Sequence, residues 1–227
     1  MTTLVLFDID GTLVLTGGAG VRAMTLAFDE LFAIRDAFRD VPMAGRTDAG
    51  ILADAAVAHA IPIDAPDLIR FPAVYVDHLT RELDRPGPRK GIMPGIRPLL
   101  DTLCARDDVH LALLTGNYQA TAQLKLQYFD LWRYFRGGAY GDAAPERNRL
   151  LPRAVADVAQ CGGPAVAARE AIVVGDTPLD VACARASGAR SIAVATGHYS
   201  VDELREAGAD VVFEDFSDTE AVLGALR

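Results

Sequence analysis

Two aspartates one residue apart, Asp8 and Asp10, close the apolar run Leu4-Val5-Leu6-Phe7 and are followed at once by Gly11 and Thr12. Side chains alternate along a strand, so both carboxylates leave it aimed the same way, and Gly11 lets the backbone turn sharply behind them. Two like charges at the end of a buried strand repel each other unless a cation sits between them. Asp-Gly is also ordinary turn chemistry, but a turn needs one aspartate and not a matched pair. Two more apolar runs end in polar groups. The run over 109–114 stops at Thr115-Gly116-Asn117, and the run over 171–174 stops at Gly175-Asp176-Thr177-Pro178-Leu179-Asp180. Open parallel sheets bind ligands at the carboxyl ends of their strands, so one topology would bring all three segments to a single site.

That topology is readable in the chain. From residue 92 onward, strands and helices alternate. Helices are expected over about 94–103, 118–129, 148–160, up to 186, and 219–226. Strands are expected over 109–114, 138–141, 171–174, 191–194 and 210–213. Repeated alternation of this kind argues for an α/β core, a doubly wound parallel sheet covered on both faces.

Between the first strand and this region the pattern is helical. Val21, Met24, Phe28, Leu31 and Phe32 recur at helical spacing. Ile51, Leu52, Ala55 and Ala56 do the same from about residue 48, behind Thr47 or Asp48 as a cap. A third helix is expected over about 66–83, with Pro72 tolerable only in its first turn or at a kink. No strand pattern interrupts this block. Thr16 to Gly20 has the glycines of a phosphate-cradling loop but no following Gly-Lys-Ser/Thr, so it reads as a hinge. Pro86 to Gly91 reads as the second hinge. The expected division is therefore an all-helical insert, 16–89, in a core formed by 1–15 and 90–227.

The 227 residues are 51% hydrophobic and 23% charged, with a net charge of −9, an ordinary globular balance. The acidic surface and lack of a basic stripe argue against nucleic-acid binding. Three scattered cysteines without a CxxC pattern, no charged leader before the first strand, and no apolar stretch of membrane-spanning length lead to the expectation of a cytoplasmic protein without membrane attachment. The four histidines show no metal-ligand spacing.

The segments Asp8-Ile9-Asp10-Gly11-Thr12-Leu13, Leu114-Thr115-Gly116-Asn117 and Gly175-Asp176-Thr177-Pro178-Leu179-Asp180 resemble the signature motifs of the haloacid dehalogenase-like hydrolase superfamily. The helical insert resembles the mobile cap of its phosphoglycolate phosphatase-like members. The resemblance implies a Rossmann-like core and a Mg2+-dependent phosphatase acting on a small phosphorylated metabolite, as a monomer or homodimer. It implies Asp8 as the nucleophile that becomes phosphorylated and Asp10 as general acid and base. Metal ligands would come from Asp8, Asp10 through its carbonyl, and Asp176, with Asp180 holding a metal water or orienting the loop. Thr115, Gly116 and Asn117 would hold phosphate oxygens.

The chain departs from the family at one point: the expected lysine before the penultimate helix is missing from Gly141-Asp142-Ala143-Ala144-Pro145-Glu146-Arg147-Asn148-Arg149. Arg147 is the first candidate to replace it, Arg149 the second and Lys125 the third; both arginines also make sense as plain cover for a helix start. Gly45-Arg46-Thr47-Asp48 resembles the cap's specificity loop, where Arg46 would reach a substrate carboxylate or simply be solvated. A sugar phosphomutase, a metal-independent dehalogenase and a non-catalytic phosphate-binding module are the rival readings.

Overall fold

The computed structural model describes residues 2–226. Along the chain it forms β1 (Thr3–Phe7), β2 (Val14–Leu15), α1 (Ala19–Phe32), α2 (Asp48–Ala58), α3 (Pro66–Glu82), β3 (Gly91–Ile92), α4 (Ile96–Cys104), β4 (Val109–Leu114) and α5 (Gln119–Tyr128). It continues with β5 (Gly138–Ala139), α6 (Leu150–Gln160), β6 (Ile172–Gly175), α7 (Pro178–Ala186), β7 (Arg190–Val194), α8 (Val201–Glu206), β8 (Val211–Phe213) and α9 (Thr219–Ala225).

The alternation of β1 sorts its side chains into two layers. Val5 and Phe7 pack with Leu99 and Leu103 of α4, Leu126 of α5 and Val222 of α9. Leu4 and Leu6 pack on the other face with Leu151, Ala154 and Val158 of α6 and Ala184 of α7. Each fully buried aliphatic side chain contributes about 1.5–3 kcal/mol, so a strand buried on both faces is a natural centre for the sheet. The six strands run in the order β5-β4-β1-β6-β7-β8, and every pairing is parallel. The chain winds outward from β1 through β4 to β5, then returns to the opposite side of β1 at β6. That reversal opens a crevice at the carboxyl ends of β1 and its neighbours.

The three helices α1, α2 and α3 share a separate apolar cluster centred on Phe28, Phe71 and Tyr75, which Tyr118 of the core joins. Phe28 meets Phe38 and Phe71 edge-on, at centroid distances of 5.4 and 6.2 Å. The chain enters and leaves this segment through the antiparallel pair β2–β3. Pro72 lies inside α3, and the helix continues through it. Burial of Leu68, Phe71, Tyr75 and Leu79 along one face outweighs the lost backbone donor. Helix α8, too short to show an apolar period, is set by a capping box between Ser200 and Glu203 and holds the core through Leu204.

Candidate active site

The strand register brings the polar ends together. Phe7 pairs with Leu113 on one side and with Val174 on the other, so Asp8, the Thr115–Asn117 turn and Asp176 emerge at one edge of the sheet. Asp8, Asp176 and Asp180 are all buried, with one carboxylate oxygen of each lying within 4.8 Å of the others. The Thr12 hydroxyl donates to Asp176 at 3.1 Å. Gly11 has φ 86°, and a Cβ there would collide with the Asp176 carboxylate, so glycine serves both the turn and the close approach.

Arg147 is the cation among these acids. Its Nη2 lies 3.0 Å from Asp8 Oδ1 and also bonds Asp180. Its Nη1 donates to the Gly45 carbonyl at 2.9 Å. The other Asp180 oxygen accepts from the Thr177 N–H at 3.0 Å and hydroxyl at 2.7 Å, closing the capping box of α7. Burial pushes Asp8 up to about 6 against the pull of Arg147, helped by Asp180 and Asp10. Asp176 is held well above the usual carboxylate range by burial, with Asp180 and Asp8 adding to the effect. Burial opposes the charge of Arg147, but Asp180 and Asp8 outweigh it and its pKa moves up. Three carboxylates facing one guanidinium leave the cluster with an excess of negative charge.

Asp10 lies outside this cluster. Its carboxylate turns toward α5, where Lys125 Nζ stands at 2.6 Å and the Asn117 side-chain amide donates at 2.8 Å. Lys125 also donates to Asn117 Oδ1 at 2.6 Å, and the amide in turn donates to Thr115 Oγ1 at 2.9 Å. Asp48 lies behind Lys125. It accepts from the Tyr118 N–H at 2.9 Å and from the Thr121 hydroxyl at 3.3 Å, and burial pushes it up to about 6 against the pull of Lys125.

The segment before α2 is seated on this edge of the core. Thr47 donates to the Pro145 carbonyl at 2.7 Å, and the Asp48 N–H donates to the Gly116 carbonyl at 2.7 Å. A Cβ on Gly116 would fall on the Arg46 carbonyl, so only glycine fits at that approach. A cavity of about 450 Å³ opens between the segment and the sheet edge, with Asp8, Asp10, Asp176, Arg147, Lys125 and Asn117 among the residues at its polar end.

The expected site residues are placed unequally. Asp8, Asp176, Asp180 and Arg147 meet; Asp10, Thr115, Gly116 and Asn117 adjoin them. Thr115 is fully buried and is not among the residues lining the cavity; its hydroxyl accepts from the Asn117 N–H at 3.3 Å and from the Asn117 side-chain amide. Arg46 lines the cavity, but its guanidinium pairs with Asp54 at 2.6 Å. Arg149 is not brought to the site; it is exposed and pairs with Glu146 one helical turn away. Lys125, the third of the candidate cations, reaches Asp10 instead of Asp8. The spacing of the chain marks Asp48 only as a possible helix cap. Thr47 takes that place through the Gly50 N–H at 3.1 Å, which frees Asp48 to reach α5.

Residues 2–188 match the family model described as haloacid dehalogenase-like hydrolase. The chain belongs to that family and is a hydrolase. Within it the chain is phosphoglycolate phosphatase-like. It is 31% identical over 236 residues to a phosphoglycolate phosphatase of Rhodospirillum rubrum, covering 99% of this chain and 92% of that one. It is 28% identical to phosphoglycolate phosphatase 1 of Pseudomonas aeruginosa, covering 95% and 77%. The fold is shared with the crystal structure of CbbY from Rhodobacter sphaeroides in complex with phosphate, at TM-score 0.72, 21% identity and 96% coverage of both chains. Among the described residues no helix is long and apolar enough to cross a membrane.

Proposed function

We propose that this hydrolase is a Mg2+-dependent phosphatase of small-molecule phosphate monoesters, acting through a phosphorylated Asp8. The observation that carries the reading is the buried cluster of Asp8, Asp176 and Asp180, three carboxylates with one guanidinium among them. Hard oxygen donors with surplus negative charge fit Mg2+. Asp8, Asp176 and the Asp10 main-chain carbonyl would hold it, with Asp180 orienting the loop or holding a metal water. The bound ion supplies positive charge that offsets repulsion between a phosphate and a carboxylate nucleophile.

The remaining steps belong to the chain. The Asp8 carboxylate attacks phosphorus as the ester P–O bond breaks, and Asp10 gives its proton to the leaving alkoxide. Asp10 then takes a proton from the water that hydrolyses the aspartyl phosphate, returning Asp8 to its free form. The Gly116 N–H would bind a phosphate oxygen, and the Thr115 hydroxyl and Asn117 N–H would join it by exchanging the bond between them for bonds to phosphate. Arg147 takes the place of the family's lysine, its Nη2 bridging Asp8 and Asp180.

We read 16–89 as a cap over a core of 1–15 and 90–227. Its separate apolar cluster and the paired strands at its base support this division. The cap segment seated by Thr47 and Asp48 shields the site from bulk water. Phosphate release from p-nitrophenyl phosphate, abolished by EDTA and restored by Mg2+, is the expected result. EDTA-insensitive chloride release from a haloacid would overturn the reading.

A further inference from the structure

Beyond the phosphoryl end, the cavity changes character. Leu15, Val21, Met24, Met43, Ile51 and Tyr75 line it, contributed by β2, the three helices and the segment between α1 and α2. Val21 is the informative one. Its spacing with Met24 and Phe28 puts it on the apolar side of α1, yet it is 50% exposed while Met24 and Phe28 are buried. An apolar side chain kept exposed at the wall of a concave site is placed there for a ligand more readily than for the core.

Two of the cations lining this part of the cavity already have carboxylate partners. Arg46 is paired with Asp54, and Lys125 with Asp10. Asp48 adds a further buried carboxylate to the wall. Arg89 stands at the exposed mouth, hydrogen-bonded to the carbonyls of Thr196 and Gly197. A leaving group with its own carboxylate would therefore sit beside Asp10 and Asp48, with Arg89 at the mouth as the one lining arginine or lysine bonded only to carbonyls, at an electrostatic cost wherever it lies deeper than that. The volume points the same way. About 450 Å³ is within the range of pockets for drug-sized ligands, and a two-carbon acid would leave most of it to water.

We infer that the preferred substrate is the phosphate ester of an uncharged alcohol with an apolar or aromatic body, not of a small hydroxy acid. This rests on the phosphatase reading above and narrows it. The phosphoryl group sits against Asp8, and the apolar body lies along Val21, Met24 and Ile51.

The test is a panel of benzyl phosphate, phenyl phosphate, phosphoglycolate and acetyl phosphate, measured with Mg2+. Filling an apolar pocket separates substrates by about tenfold or more, so kcat/KM for benzyl phosphate is expected to exceed that for phosphoglycolate by at least about tenfold. Val21→Asp is expected to shrink that ratio by about tenfold. Equal or better turnover of phosphoglycolate would overturn the inference and leave the phosphatase reading intact. No turnover of any of the four phosphates would overturn both.

Discussion

Asp8 and Asp10 are two residues apart and chemically identical, yet their surroundings are opposite. Asp8 faces into the core, buried with Asp176 and Asp180 and held by Arg147. Asp10 faces the helical segment, half exposed, held by Lys125 and Asn117. A carboxylate fixed in a water-poor, cation-requiring cluster suits attack on phosphorus. One that lines the cavity and is partly open to it is placed to exchange protons with a leaving group and a water. In the proposed mechanism environment, not residue type, divides the labour, with a different cation contacting each aspartate.

The largest expected effect is at Asp8. Asp8→Asn is expected to lower kcat by about 10^4-fold or more while the thermal midpoint and circular dichroism stay near wild type. Next is Arg147→Ala, which leaves Asp8 and Asp180 facing each other without a cation. A loss of roughly 10^2–10^3-fold in kcat is expected, with about 3–5 kcal/mol lost in urea unfolding. Arg147→Lys should recover part of the rate, since an ammonium keeps the charge but loses the fork that also reaches Gly45.

Lys125→Met addresses Asp10, and a smaller loss of about tenfold in kcat is expected, with kcat partly kept in Lys125→Arg.

Asp48, behind Lys125, makes stability depend on pH. Its folded pKa of about 6 lies above the ordinary 3.8, so its contribution to stability is fully present below the ordinary value and is lost as pH rises through 6. Relative to Asp48→Asn, the wild type is expected to lose roughly 2 kcal/mol between pH 4 and pH 7 in denaturant titrations, since each tenfold change in proton affinity on folding corresponds to about 1.4 kcal/mol. Arg149→Ala, with its exposed partner, should change stability by less than about 0.5 kcal/mol and leave turnover unchanged.

The sheet is legible in the sequence because its central strands are unbroken apolar runs ending in turn residues. Strands β2 and β3 are not, since two residues carry no periodicity. Helix α8 leaves only the Ser200–Glu203 spacing and one apolar contact as a signal. Within the site, the motifs locate the acids, and the missing lysine directs attention to Arg147. The pairing of Arg46 with Asp54 and the reach of Asp48 to α5 depend on how the helical segment seats on the core. No local spacing encodes those contacts.

The most direct test of the account is a peptide map of the enzyme acid-quenched during turnover of a good ester substrate with Mg2+. A phosphate carried on the peptide containing Asp8, and absent from Asp8→Asn, is the expected result. Steady turnover with that peptide never phosphorylated at any quench time would contradict it.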